Sequence, residues 1–261
     1  MSAPTTTPPG TDDSGVRAKT LRGLLLAREL DSARLARGFT TRELASAMSM
    51  SPAMVNRVMT GRRVPTALEI GGLCAVLDVP AARRPLLYRR AAATDLTGWV
   101  VHAGTGDDPI GDVEAVADGI TGFDPALVPR PLRTPAYERA IGSDRGRADP
   151  ALLRISRFFL HPSALSHPAV SAETMRDQLL HLVENHAHRV RLLPIGVARE
   201  PGFRVLEVGH FPSVVHIEHH GTDVLLEEPA ATGAHTAFLR HLTDVALSGS
   251  HTGAALRNLI R

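Results

Sequence analysis

Residues 39–65 read F-T-T-R-E-L-A-S-A-M-S-M-S-P-A-M-V-N-R-V-M-T-G-R-R-V-P, and they contain two short helical patterns separated by a tight turn. Thr40, in the sequence T-T-R-E, is the N-cap of a capping box and predicts the start of the first helix. Ser51 followed by Pro52 predicts the start of the second, because serine caps helix N-termini and proline suits the first helical position. Gly61 predicts the end of that helix.

Apolar residues recur at helical spacing between these signals. Leu44, Ala45 and Met48 form the inner face of the first helix, and Val55 and Val58 form that of the second. The small side chain of Ala45 allows the two helix backbones to cross closely. Two helices joined in this way form a helix-turn-helix, whose second helix can enter the major groove of DNA.

The turn between the two helices departs from the usual pattern at one residue. Ser49 occupies the position that is usually glycine, because the residue there tends toward positive φ. Serine adopts this conformation at some cost, so we expect the turn to be slightly altered.

Further helical patterns surround this pair. They predict helices at Thr20–Arg37, from Thr66 onward and at Ala81–Thr94, which makes residues 17–94 an all-α domain of about five helices. Residues 1–16 are rich in Pro, Thr and Gly, have almost nothing to bury and predict a disordered tail. The tail lacks the apolar core of a secretory signal, so we expect none.

Charge is distributed unevenly along the chain. From Arg17 to Arg90 there are 14 basic and 5 acidic residues, a net charge of +9. From Ala91 onward there are 15 basic and 20 acidic residues, a net charge of −5, together with all 13 histidines. Positive charge concentrated in the first third is what neutralising nucleic-acid phosphates requires.

The composition argues against several classes of protein. Hydrophobic residues make up 43% and charged residues 21% of the chain, as in ordinary globular proteins. There is no apolar run of about 18 residues, so a membrane span is not expected. The single cysteine, Cys74, rules out an internal disulfide and fits a reducing compartment, so we expect a cytoplasmic protein.

The stretch at residues 39–65 resembles the phage-repressor or XRE type of helix-turn-helix, and the resemblance extends over about 60 residues. It implies that Ser51–Thr60 is a recognition helix that reads an operator in double-stranded DNA. Arg42 fits a solvated helix face equally well. The residues that the resemblance and their positions assign to the DNA contact are Thr41, Arg42, Ser51, Pro52, Ala53, Asn56, Arg57, Arg62 and Arg63.

The chemistry of these residues permits that role. Arg57 can reach guanine O6 and N7 bidentately, Asn56 can pair with adenine, and Ala53 can contact a thymine methyl group. Arg62 and Arg63, just past the helix end, are placed to meet phosphates. Proline at the helix start has no N–H and reads no base by hydrogen bonding.

The rest of the chain shows helical periodicity first and strand periodicity later. Residues 95–111, with the only tryptophan, Trp99, are predicted to be a linker, and residues 112–261 an α+β domain with a small antiparallel sheet. Its predicted helices are Asp112–Ile120, Pro135–Ile141, Pro150–Leu160, Ala172–His188, Ala230–Leu247 and Gly253–Ile260. Its predicted strands are Arg189–Leu193, Phe203–Val208, Val214–His219 and Val224–Glu227.

This region also carries a resemblance. It contains, in order, P-A-L-V-P-R-P-L-R-T-P-A-Y-E-R-A, M-R-D-Q-L-L-H-L, V-R-L-L-P, V-V-H-I-E and L-L-E-E-P. Most of residues 98–258 is thereby similar to a C-terminal domain of unknown function that follows XRE-type motifs in regulators of high-GC filamentous bacteria. Such regulators are often paired with a small partner protein, in an arrangement likened to antitoxin and toxin. The chain departs from the family at Arg130 and Arg133, usually glycine and glutamine, and at His216, usually tyrosine.

Six residues of this region are candidates for ligand binding, namely Trp99, Arg130, Arg133, Tyr137, His216 and Glu218. The two arginines and Tyr137 could line an anion-binding pocket, although helix capping and surface roles explain them as well. His216, Glu218 and His220 alternate along one strand and share a face, as a transition-metal site would require. A polar outer face of a sheet gives the same pattern, so we expect no metal and no cofactor.

Motifs of catalysis are missing from the sequence, which has no nucleophile elbow, P-loop or H-E-x-x-H, so we expect no catalytic residue. The sequence therefore favours a sequence-specific transcriptional regulator that binds an operator as a homodimer. Its C-terminal domain would sense a small molecule or a small partner protein. The alternatives are an enzyme fused to a DNA-binding domain and an antitoxin-like module for a small partner.

Overall fold

The computed structural model describes residues 18–102, 108–142, 150–197, 200–219 and 222–260. They form two units, an N-terminal one that ends at Leu96 and a C-terminal one that begins at Thr97. The tail predicted at residues 1–16 and part of the predicted linker, residues 103–107, lie outside the described residues. In these ranges no helix has the length and apolar character needed to span a membrane.

The N-terminal unit is helical, as predicted. Its helices, over residues 18–96, are α1 Leu21–Ala36, α2 Thr41–Ala47, α3 Pro52–Met59, α4 Ala67–Val76 and α5 Arg84–Ala92. The first four begin at a Ser or Thr whose side-chain oxygen accepts the backbone N–H three residues later. In α2 and α4 the side chain of a glutamate accepts the backbone N–H of the capping threonine, which completes a capping box. One of the two is the capping box predicted at Thr40.

An apolar core joins these helices. Leu30 of α1, Leu44 of α2 and Ile70 of α4 are fully buried in it. Val55 and Val58 of α3 pack into the same cluster, so the apolar faces predicted for α2 and α3 do point inward. Burial of each such side chain contributes roughly 1.5–3 kcal/mol, and it fixes the rotation of α3 about its own axis.

The turn between α2 and α3 has the positive φ predicted for Ser49, which is 52°. The Ser49 N–H donates to Ser46 O (3.2 Å) and the Met50 N–H to Ala45 O (2.9 Å), which is a Schellman ending. Gly38 closes α1 with the same pair of bonds. The turn is therefore regular in its hydrogen bonds and in its backbone angle, and the alteration expected from serine is not observed.

Replacing Ser49 by glycine should raise the free energy of unfolding of the N-terminal unit by about 1 kcal/mol, because glycine adopts positive φ without a Cβ clash. Ser46→Gly is the matched control, since Ser46 is exposed inside α2 and replacing serine by glycine there should cost about 0.5 kcal/mol. Thermal denaturation followed by far-ultraviolet circular dichroism measures both. Shifts of the same sign in the two variants would contradict the strain assigned to Ser49.

The C-terminal unit is an α+β unit, as predicted, with one mixed sheet of seven strands among the described residues. The strands are β1 Gly98–His102, β2 Gly119–Asp124, β3 Ser156–Leu160, β4 Val190–Leu192, β5 Phe203–Glu207, β6 Val214–His219 and β7 Thr222–Leu226. Their order across the sheet is β1-β7-β6-β5-β2-β3-β4. The α-helices are α6 Pro109–Glu114, α7 Pro135–Ala140, α8 Pro150–Ile155, α9 Ala172–His181, α10 Pro229–Val245 and α11 Gly249–Ile260.

The predicted sheet was small and antiparallel, whereas the observed sheet is larger and mixed, with two of its six described strand pairings parallel. β2 pairs with β3, and β3 with β4, in parallel. β3 lies in a stretch predicted as the helix Pro150–Leu160, because it is buried on both faces and so lacks the alternation of a half-exposed strand. Phe158 packs on one side of the sheet with α9 and α11, whereas its neighbour Phe159 packs on the other with α10.

The linker predicted at residues 95–111 contains a strand instead. β1 pairs antiparallel with β7 over five residue pairs, from Gly98 opposite Leu226 to His102 opposite Thr222. Trp99 is buried, and its indole N–H donates to the carboxylate of Glu227. The strand was not predicted because β1 has only five residues and lies beside a glycine-rich stretch, so its alternating pattern is too short to recognise.

Candidate functional site

Helix α3 carries two faces of opposite character. Val55, Val58 and Met59 are buried, whereas Asn56 and Arg57 are exposed. The other exposed residues of this face that had been predicted to meet DNA are Pro52 and Ala53. The candidate recognition residues of α3 therefore share its exposed side.

Both ends of α3 are held by hydrogen bonds. Ser51 Oγ accepts the Met54 N–H (3.2 Å) at the start of the helix. At its end, Thr60 Oγ1 donates to Asn56 O (2.7 Å) and the Arg63 N–H donates to Arg57 O (3.0 Å). In the described part of the chain, the side chains of Asn56 and Arg57 make no hydrogen bond of their own. They are held on a rigid helix and are available to a partner.

The candidates beside α3 differ in availability. Arg42 and Arg62 are exposed, and Thr41 is half-buried at the first residue of α2. Arg63 is already engaged, because its Nη2 donates to both carboxylate oxygens of Glu69 (2.9 Å each). Arg62 is therefore the better placed of the two adjacent arginines to reach a phosphate.

A partly open cavity of about 150 Å³ lies in the C-terminal unit. Its walls come from β2, β3, β5, β6, the end of α6 and the segment Pro129–Arg133. Four of the six predicted ligand-binding residues line it, which are Arg130, Arg133, His216 and Glu218. The structure thus brings together residues that lie almost 90 positions apart in sequence.

The other two predicted ligand residues do not line this cavity. Tyr137 is fully buried, and its hydroxyl accepts the Val128 N–H (3.1 Å). Burial raises the pKa of the Tyr137 hydroxyl above its usual value. Trp99 is bonded to Glu227, as described for β1. Both side chains serve the packing of the unit, and a ligand role for them is not supported.

A chain of hydrogen bonds crosses the floor of the cavity. Arg204 donates from Nε (3.1 Å) and Nη2 (2.7 Å) to His216 Nδ1, and its Nη1 also bonds to Glu114. Because a guanidinium group only donates, His216 Nδ1 must carry a lone pair, and Nε2 donates to Asp223 Oδ1 (2.8 Å). Burial lowers the pKa of His216, which is consistent with this neutral form.

These bonds bear on the metal site considered for His216, Glu218 and His220. His220 lies outside the described residues, and both ring nitrogens of His216 are engaged. Across the described ranges, no group of three or more His, Cys, Asp or Glu side chains is placed to hold a metal ion.

Two polar groups of the cavity have unused bonding capacity. Arg130 Nε is buried and has no hydrogen-bond partner among the described residues. Asp124 Oδ1 accepts the N–H groups of Ala126 and Leu127 (2.9 Å each), while its Oδ2 accepts none from the described residues. Burial raises the pKa of Asp124. Arg133, by contrast, is used, since it donates to Val128 O and pairs with Glu138.

Comparison with known families divides the chain in the same way. A helix-turn-helix domain matches residues 25–87, and a domain of unknown function, DUF5753, matches residues 153–258. The chain is a helix-turn-helix protein with a C-terminal DUF5753 domain. It is therefore a DNA-binding protein of the kind that regulates transcription, with α2 and α3 inside the matched helix-turn-helix.

Solved structures give weaker likenesses. Two structures of the clp gene regulator ClgR from Corynebacterium glutamicum are 26% identical, with a TM-score of 0.24. They cover 30% and 29% of this chain and 97% and 78% of theirs. TrmBL2, an archaeal chromatin protein, is 10% identical over 87% of this chain and 99% of its own, with a TM-score of 0.31. TM-scores this low do not establish a shared fold. No curated protein matches the chain.

The residues that line the cavity extend beyond the segment that matches DUF5753. Asp124, Arg130 and Arg133 precede residue 153, whereas Arg204 and His216 follow it. The sequence prediction missed Asp124 and Arg204. A signal existed for Asp124, because an aspartate followed by proline at a strand end is typical of a side chain that caps the next turn.

Proposed function

We propose that this protein is an XRE-type transcriptional regulator that reads a specific DNA operator through α3. The observation that carries the proposal is the pair Asn56 and Arg57, exposed and without side-chain bonds on a helix whose other face is packed. Arginine discriminates guanine and asparagine discriminates adenine in the major groove. The net charge of +9 over residues 17–90 supplies the attraction to phosphates that such binding needs.

A phosphate contact by Arg62 is expected to act on every DNA sequence alike. Arg62→Ala should weaken specific and nonspecific duplexes by a similar factor and reduce the salt slope of binding by about 1. Arg62→Lys is the matched control, since it keeps the charge and should keep the slope. Mobility-shift titrations at several salt concentrations measure both. An unchanged slope in the alanine variant would show that Arg62 does not meet phosphate.

The protein is further proposed to bind as a homodimer. One recognition helix covers only a half-site, and a symmetric pair doubles the contacts. Multi-angle light scattering should give twice the mass of the chain, free or on operator DNA. The mass of one chain in both states would contradict the dimer.

The C-terminal unit is proposed to regulate by binding, without catalysis. Its cavity supplies a place for a small effector, which supports this reading over a partner protein as the effector. Ser156 Oγ in the cavity donates to Leu152 O (2.6 Å), and both ring nitrogens of His216 are engaged, so the described part of the cavity does not pair this hydroxyl with a histidine base. An effector would act by its differential affinity for two arrangements of the protein, typically about 1–3 kcal/mol. Turnover of a metabolite by the protein would favour the alternative of an enzyme fused to a DNA-binding domain.

A further inference from the structure

We infer that the cavity of the C-terminal unit binds a small zwitterion with an apolar side chain, such as an aliphatic α-amino acid. Its carboxylate would lie at Arg130 and its ammonium group at Asp124. The inference rests on the proposed sensing role of this unit and names the chemical class of the effector.

The charges that line the cavity favour a ligand without net charge. Two of the three lining arginines are already paired within the protein, Arg204 with Glu114 and Arg133 with Glu138. Arg130 and Asp124 are then one group of each sign for which the described residues provide no ion pair. A simple anion or cation would leave one buried charge uncompensated, which is costly away from water. A zwitterion keeps the balance.

The two groups with unused bonding capacity specify the two ends of the ligand. Arg130 Nε is a buried donor that needs an acceptor, and a carboxylate forms the strongest bond with a guanidinium group. Asp124 Oδ2 is an acceptor without a donor in the described part of the chain, and burial already disfavours its charge. An ammonium group there would supply the donor and offset the buried charge.

The remaining walls and the volume limit the rest of the ligand. Ile120, Phe158 and Phe203 contribute apolar surface. At Gly122 a Cβ would lie 2.9 Å from the Phe158 ring, so this wall admits no side chain of its own without displacing the ring. A cavity of about 150 Å³ holds a body about the size of benzene. This volume fits one small side chain.

Isothermal titration of the full-length protein, without DNA, tests the inference with leucine, valine and phenylalanine as probes. For leucine, 4-methylpentanoate lacks the amine and isopentylamine lacks the carboxylate. We expect at least one amino acid to bind, and its two analogues to bind at least tenfold more weakly. Equal binding of the amine-free analogue would overturn the zwitterion, and heat from none of the probes at millimolar concentration would overturn the site.

Two variants locate the binding. Asp124→Asn keeps the shape of the side chain and an oxygen for Ala126 and Leu127, whereas Arg130→Gln shortens the side chain and replaces the guanidinium group by a neutral amide. Each should weaken the bound amino acid at least tenfold, whereas Arg139→Gln, exposed on α7 and outside the cavity, should not. Circular dichroism checks that each variant is folded. Unchanged affinity in both cavity variants would place the ligand elsewhere and overturn the inference.

A separate titration of operator DNA without amino acid separates this inference from the regulator proposal. Loss of DNA binding with intact amino-acid binding would refute the regulator alone. Intact DNA binding with no amino-acid binding would refute the effector class alone.

Discussion

Arg57→Ala should weaken binding to the operator by roughly 5- to 150-fold, or about 1–3 kcal/mol, and relax the preference at one base pair. The reason is geometric. Arg57 lies on the exposed face of α3 and has no partner within the described residues, while the opposite face is fixed by Val55 and Val58. A bidentate bond to guanine is lost, and no contact of the protein replaces it.

Arg57→Lys is the matched control for charge. Lysine keeps the attraction to phosphate but lacks the planar fork that guanine recognition needs, so the preference at that base pair should still relax. Fluorescence anisotropy with the operator and with duplexes substituted one base pair at a time measures both quantities. If either variant lost the same affinity for all duplexes, Arg57 would contact only phosphate and would not recognise a base.

Gln178→Leu should lower the free energy of unfolding of the C-terminal unit by about 2–6 kcal/mol. Gln178 of α9 is fully buried, and its amide bridges two backbone groups. Its Oε1 accepts the Thr134 N–H (2.7 Å), and its Nε2 donates to Leu132 O (2.8 Å). Leucine has a similar volume and leaves no cavity. The loss of stability therefore comes from the two backbone groups that lose their hydrogen-bond partner, each worth about 1–3 kcal/mol.

The same bridge supports the cavity wall, because Leu132 and Thr134 flank Arg133. Urea denaturation followed by the fluorescence of Trp99, the only tryptophan, reports the C-terminal unit selectively. Asp177→Ala, one position away and exposed, is the control and should change stability by less than about 0.5 kcal/mol. A loss below about 1 kcal/mol in Gln178→Leu would show that water or a shifted backbone satisfies the two groups.

The helix-turn-helix was predictable because its signals are local. Thr40 and Ser51 indicate helix starts because their side chains accept the backbone N–H of the residue three positions later. The positive φ of Ser49 follows from its place in the turn. The availability of Arg63 was not predictable. Its partner Glu69 lies beyond the end of the motif, and only the packed loop between α3 and α4 brings them together.

The C-terminal sheet was predictable only where its strands alternate. β4, β5, β6 and β7 do so, and their predicted positions were confirmed to within a few residues. β3 does not alternate because both its faces are buried, and its parallel pairing with β2 joins segments more than 30 residues apart. Non-local pairing leaves no mark on either segment alone.

The cavity shows the same division. Arg130, Arg133 and His216 stood out because they depart from the residues usual in a similar domain, and all three line it. Asp124 and Arg204 did not stand out. The unused bonding capacity of Asp124 arises from burial, and the bond from Arg204 to His216 arises from the pairing of β5 with β6.

Selection of bound duplexes from a random pool, with the purified full-length protein, tests sequence-specific DNA binding through α3 most directly. The predicted result is an enriched inverted repeat with half-site centres about 10–10.5 base pairs apart, or a multiple of that spacing. The same selection with Arg57→Ala should lose the preference at one position of each half-site. A pool that shows no enriched sequence with the wild-type protein would contradict the proposal.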